Sequence, residues 1–163
     1  MKFLVAVIIL IVLVAGCTQT TPLTWACPNG TEVLGGPSQC PETSFCKGTA
    51  RCFNGTVTEI IDGDTLKVDH VSIRLALIDA PEYNEEGWNE TKELALSICP
   101  IGSKAIVDED DGQNESYGRI VAVVYCNGKN LNAEITSNKY VTVYEEFCNV
   151  SEFANETWSW KFC

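Results

Sequence analysis

Nine cysteines in a chain of 163 residues limit what this sequence can fold into more than any other feature. That density is unusual where thiols are kept reduced and ordinary in exported chains held by cross-links. The N-terminus points the same way. Met1 to Gly16 (MKFLVAVIILIVLVAG) is one lysine followed by an apolar run ending in small residues. The run is shorter than the roughly 20 residues a membrane-spanning helix needs, and its layout is that of an export signal. Val14-Ala15-Gly16-Cys17 has the form of a lipid-attachment signal, in which Cys17 becomes the lipidated first residue. An ordinary signal with an incidental cysteine and an uncleaved anchor are the alternatives, and each puts the chain outside the cytoplasm.

With Cys17 committed to lipid, eight cysteines remain in two groups. Cys27, Cys40, Cys46 and Cys52 fall in a stretch rich in Pro, Gly and Thr, with almost no apolar periodicity. Cys99, Cys126, Cys148 and Cys163 fall in the remainder. A segment of 26 residues, 27–52, cannot build a core and needs staples. Zinc is the rival reading, but no Cys-x-x-Cys occurs and the lone His70 is far away in sequence. The expected layout is an export signal over 1–16, a tether over 17–26, a small cysteine-rich element over 27–52 and a domain over 53–163. Eight cysteines allow 105 disulfide pairings, or 9 if each group of four pairs internally, and the sequence does not choose among them.

Asn29, Asn54, Asn89, Asn114, Asn149 and Asn155 each precede Ser or Thr by two positions, with no intervening proline. These are candidate glycosylation sites, although asparagine and threonine also gather in turns. Together with a lipid anchor they point to a prokaryotic, and more narrowly archaeal, cell surface. The charge is −11, from 11 basic and 22 acidic residues. A chain this acidic is a poor candidate for loose electrostatic binding to nucleic acid or to an anionic membrane surface, and any nucleic-acid chemistry must rest on a local site.

Beyond Phe53 strand signals dominate. Gly55 to Ile61 is β-rich and stops at Asp62-Gly63, a turn pair. Thr65 to Val68 and Val71 to Ile78 follow, with a turn at Asp69-His70. Asn89 to Ile98 reads as a helix ended by Cys99-Pro100. Lys104 to Val107 is a short strand, Asp108 to Ser116 a polar acidic loop, and Arg119 to Cys126 a buried strand. Asn127-Gly128 is a second turn pair. Leu131 to Ser137 reads as a short helix and Tyr140 to Tyr144 as a last strand. Trp158 and Trp160 are expected to cover the bottom of the core. The pattern is mainly β with helices (α+β), compatible with a five-stranded barrel of the oligonucleotide-binding type with two or three helices.

Asp64, Asp79 and Glu82 fall in turns or just after strands. If the second and third strands form a hairpin, Asp64 and Asp79 lie at one end of the sheet. Two carboxylates, a carbonyl and waters suit a hard cation such as Ca²⁺; the plain alternative is a solvated turn. The chain has three arginines, and two of them, Arg74 and Arg119, lie within or at the start of strands. A strand arginine either pairs with a carboxylate or presents its fork to a phosphate.

At these residues the sequence resembles the staphylococcal-nuclease-like (thermonuclease) family. The matching pieces are Ile61-Asp62-Gly63-Asp64-Thr65, Ile73 through Glu82 (IRLALIDAPE), Tyr117-Gly118-Arg119, and Asn127-Gly128-Lys129 before Leu131-Asn132. The resemblance implies an oligonucleotide-binding barrel and Ca²⁺-dependent hydrolysis of phosphodiester bonds in DNA or RNA, most readily single-stranded, by a monomer. It implies that Asp64, Asp79 and the Ala80 carbonyl hold one Ca²⁺, that Glu82 activates water, and that Arg74 and Arg119 hold the phosphate. Asp62, Tyr117 and Tyr144 would surround the substrate, and His70 would have no role.

Two departures stand out. Ala80 replaces a frequent threonine, and the loop before Tyr117 is acidic and lacks the basic residues that grip nucleic acid. Each lost phosphate contact weakens polyanion binding. The alternative reading is accordingly a non-catalytic module binding Ca²⁺ or a polymer on the same fold.

Overall fold

The computed structural model describes residues 24–27, 31–113 and 116–163. The expected export signal, Cys17, the part of the expected tether before Thr24, Asn29 and Asn114 lie outside the described residues. Strands β1 (Thr24–Ala26) and β2 (Glu32–Leu34) form an antiparallel ribbon. Two 3₁₀ turns follow, Pro37–Gln39 and Glu42–Phe45. Then come β3 (Cys52–Ile60), β4 (Thr65–Val68), β5 (Val71–Leu75), β6 (Ile78–Asp79) and helix α1 (Trp88–Ile98). They are followed by β7 (Lys104–Glu109), β8 (Ile120–Cys126), β9 (Lys129–Asn130), helix α2 (Leu131–Ile135), β10 (Thr142–Val143) and a 3₁₀ turn, Glu145–Phe147.

The barrel is made by β3, β4, β5, β8 and β7. β3 pairs antiparallel with β4 and β7, β4 with β5, and β7 with β8. Parallel pairing of β5 with β8, Arg74 opposite Val121, closes the ring. This is the expected five-stranded barrel with two helices. Closure removes free edges among its strands. β8 is buried from Val121 to Cys126, as a strand with neighbours on both edges and a helix across it should be.

The cysteines pair within their two groups: Cys27–Cys40, Cys46–Cys52, Cys99–Cys126 and Cys148–Cys163. The N-terminal element is stapled and also leans on the barrel. Phe45 is buried with its ring centroid 4.8 Å from that of Tyr125. Cys52 stands opposite Asp108 at the start of β3. The element thus borrows part of its core from its neighbour.

Three expectations need correction. The third strand is not continuous from Val71 to Ile78. Leu77 takes a positive φ of 63°, the Ala76 N–H donates to Ala122 O at 2.8 Å, and buried Asn132 donates to Ala76 O at 3.0 Å. The chain turns there, and β6 pairs instead with β10, Asp79 opposite Thr142. Asp108 to Ser116 is not simply a solvated loop. β7 runs on through Glu109, and both Asp108 and Asp110 are buried, because β3 extends back to Cys52 and pairs with it. Of the two tryptophans only Trp158 is buried; Trp160 is 63 % exposed.

Candidate active site

The hairpin of β4 and β5 sets Thr65 opposite Arg74. Asp64, just before β4, is therefore beside the Arg74 guanidinium, and its Oδ1 pairs with Arg74 Nη1. Asp64 is 1 % exposed, and each of its oxygens has a donor. Oδ2 accepts the Ala80 N–H at 2.7 Å and Oδ1 accepts the Thr65 hydroxyl at 2.9 Å. A buried carboxylate persists only with such pairing. The Asp62 carboxylate accepts the Asp64 N–H at 3.0 Å and so shapes the turn; burial pushes its carboxyl up. Gly63 is required by crowding: a Cβ there would stand 2.6 Å from Thr91 Cβ of α1 and 2.8 Å from Ala80 Cβ.

The kink at Leu77 returns the chain to this spot. Asp79 Oδ1 lies 3.4 Å from Arg74 Nη2, and its side chain is 42 % exposed. Its Oδ2 accepts the Thr142 hydroxyl at 3.4 Å. One guanidinium therefore sits between two carboxylates. The Tyr144 ring lies 5.6 Å from the Arg74 guanidinium carbon, and burial, then Asp79, pushes the Tyr144 phenol up.

Arg119 approaches from the other side. Its Nη1 donates to Thr65 Oγ1 at 3.1 Å, and its Nε and Nη2 donate to the carbonyl and hydroxyl of Ser116 at 3.1 and 3.3 Å. Among the described residues Arg119 forms no ion pair. Thr65 consequently links the two halves, donating to Asp64 and accepting from Arg119. Sequence reasoning passed over it; its place directly after Asp62-Gly63-Asp64 was the available signal. Tyr117, at φ 53° in the turn between Ser116 and Arg119, is 98 % exposed.

Arg74, Arg119, Glu82, Tyr117 and Tyr144 line one cleft of about 960 Å³. Glu82 is exposed; its backbone N–H donates to Glu85 Oε2 at 2.8 Å. The cleft is also lined by Glu146 and Phe147 of the 3₁₀ turn and by Val150, just inside the loop closed by Cys148–Cys163. That wall is held by Asp110, which is 5 % exposed. Asp110 accepts from the Gly112 N–H at 2.9 Å, Gln113 Nε2 at 2.7 Å, the Ser151 hydroxyl and the Glu152 N–H at 3.3 Å. Gly112 passes so close to the Val150 carbonyl that no Cβ fits. No sequence signal marked Asp110, since a buried hub and a solvated acid look alike in a run of acids.

The structure thus brings Asp64, Asp79, Arg74, Ala80 and Tyr144 together, sets Arg119 beside them through Thr65, and leaves Glu82 on the same cleft. It does not gather the acids into a cage: among the described residues no three His, Cys, Asp or Glu side chains group as a metal site. His70 is exposed in the turn between β4 and β5, at the end of the hairpin away from Asp64. Asn54, Asn89, Asn149 and Asn155 are exposed.

A family model described as staphylococcal nuclease homologue matches residues 72–158. That span takes in Arg74, Asp79, Glu82 and Arg119; Asp64 precedes it and joins the site through the fold. The chain is similar to endonuclease YncB of Bacillus subtilis, 28% identical over 152 residues, 78% of this chain and 70% of that protein. It is similar to the SPbeta prophage-derived endonuclease YokF of the same species, 33% identical over 91 residues, 47% of this chain but only 29% of YokF. It is also 27% identical over 161 residues to the uncharacterized protein MJ1439 of Methanocaldococcus jannaschii, covering 72% of this chain and 77% of that one. With more than half of its length matched by the family model and the two arginines meeting on one cleft, the chain belongs to the staphylococcal nuclease homologue family.

Proposed function

We propose that this protein is a nuclease that hydrolyses phosphodiester bonds of DNA or RNA, with Arg74 and Arg119 holding the phosphate and Glu82 activating water. The observation that carries this reading is that two guanidiniums from different strands and an exposed carboxylate line one cleft. The endonuclease names of YncB and YokF support it. Glu82 takes a proton from the attacking water as the new oxygen–phosphorus bond forms. The ester oxygen leaves and takes its proton from solvent. Negative charge gathers on the phosphoryl oxygens, where preformed cationic donors act most strongly.

The donor set fits a hard divalent cation such as Ca²⁺. Asp64 and Asp79 both reach one guanidinium, so their oxygens already share a single cationic neighbour. Two carboxylates leave the remaining positions to a carbonyl and water, which suits an oxygen-liking ion. Asp64, Asp79 and the Ala80 carbonyl would hold it, and when bound it supplies positive charge to the phosphoryl oxygen.

The apolar run ending at Cys17 and the paired cysteines support export and lipid anchoring at the cell surface. The test is digestion of single-stranded DNA and RNA by the chain lacking residues 1–17, with Ca²⁺ and then with chelator, beside a calorimetric titration of Ca²⁺. Cleavage that the chelator abolishes is expected. Ca²⁺ binding with no cleavage would favour a non-catalytic binding module, a reading motivated by the acidic charge.

A further inference from the structure

A nucleic-acid enzyme ordinarily draws its substrate along a cationic track, and each phosphate neutralised steepens the dependence on salt. The placement of every cation on this chain speaks against such a track. Of 11 lysines and arginines, Lys2 lies outside the described residues, and only Arg74 and Arg119 line the cleft. Lys47, Arg51 and Lys67 are tied to Glu156, Glu109 and Glu59. Lys92, Lys139 and Lys161 lie over the rings of Trp88, Tyr140 and Phe162. Lys104 and Lys129 flank the Cys126 end of β8, roughly 20 Å along the strand from Arg119.

The cleft itself adds acid where a track would add base. Glu82 and Glu146 stand on its walls with Tyr117, Tyr144 and Phe147. Aromatic faces hold bases whatever the length of the strand, by stacking. A long polyanion extending beyond the two arginines meets a chain of charge −11 and gains nothing from further phosphates.

We infer that the substrate is a short single-stranded segment gripped at one phosphate by the two arginines and by stacking, so that affinity does not grow with strand length. Glu146 is the wall residue that sets this limit. The inference rests on the nuclease reading and narrows it to short strands or strand ends.

The test uses single-stranded oligonucleotides from about 4 to about 16 nucleotides. Hydrolysis is read as kcat/KM in Ca²⁺, and equilibrium binding is read by fluorescence anisotropy in chelator. At about −0.7 per phosphate, one contact gives a slope of log affinity on log salt of about −0.7, a loss of about 3-fold between 50 and 200 mM salt. Affinity is expected to change less than about 3-fold with length, and Glu146→Lys is expected to steepen the slope by about 0.7. A wild-type loss of about 300-fold over that salt range, as six contacts would give, overturns the inference. So does affinity rising steadily with length, or no binding at any length. Absent hydrolysis with the shallow slope retained would remove the nuclease reading alone.

Discussion

Asp64 and Asp108 are both buried aspartates at the edge of the same barrel, and the chain treats them oppositely. Asp64 is matched at each oxygen, by Arg74, the Thr65 hydroxyl and the Ala80 N–H. Asp108 lies where the cysteine-rich element meets β7. Its Oδ2 accepts the Lys47 N–H at 2.8 Å, and its Oδ1 is buried with no hydrogen-bond partner among the described residues. Burial pushes its carboxyl up to about 7, with Glu152 and Asp111 adding to the effect. One pole of the molecule pairs its buried carboxylate with a cation. The other shelters an acid that is easier to hold neutral. Burial alone therefore does not mark a reactive carboxylate; the cation beside it does.

Removing that cation should have the largest effect. Arg74→Ala is expected to lower kcat by about 10³-fold and to destabilise the fold by about 3–5 kcal/mol, because Asp64 is left buried and unpaired. Single-turnover kinetics and urea unfolding check the two parts. A variant with normal stability would show that Asp64 does not depend on the pairing. Next comes Asp110→Ala, expected to cost about 2–3 kcal/mol from stranded donors. Because the far wall hangs on Asp110, KM should rise more than kcat falls; a pure kcat loss would place the residue's influence elsewhere.

Asp108→Asn should act in the opposite direction. Asp108 binds its proton more tightly folded than unfolded, so the stability it contributes is present at acid pH and lost as pH rises from about 4 to about 7. The variant is expected to gain about 4 kcal/mol at pH 8 and nothing at pH 4, by urea unfolding at both. Equal gains at both values would mean that the carboxyl is not the cause. The smallest structural effect belongs to Tyr117→Ala. A side chain 98 % exposed should alter stability by less than about 0.5 kcal/mol, while KM rises if the ring stacks on a base.

The barrel was legible because its turns announce themselves. Asp62-Gly63 and Asn127-Gly128 bound the strands, and alternation in Val71–Leu75 fixes which face carries Arg74. The hairpin made the place of Asp64 beside Arg74 legible, whereas Asp79 reaches the same guanidinium only through the kink at Leu77. The kink at Leu77 was not legible, since a leucine at positive φ carries no local signal and is held by Asn132 and Ala122 from elsewhere in the chain. Asp108 and Asp110 were read as loop because their burial depends on Cys52, Lys47 and Ser151, all distant in sequence. Thr65 was overlooked as a neighbour of more conspicuous acids.

The two arginines belong to the pair of strands, β5 and β8, whose parallel alignment completes the ring. A nascent chain that has made its first hairpins owns half a grip and nothing to oppose it. Contacts so remote along the sequence form slowly, so the proposed grip would arise only after the local hairpins. Were the chain exported before that pairing, as the proposed signal would have it, the producing cell would be spared the proposed activity without an inhibitor.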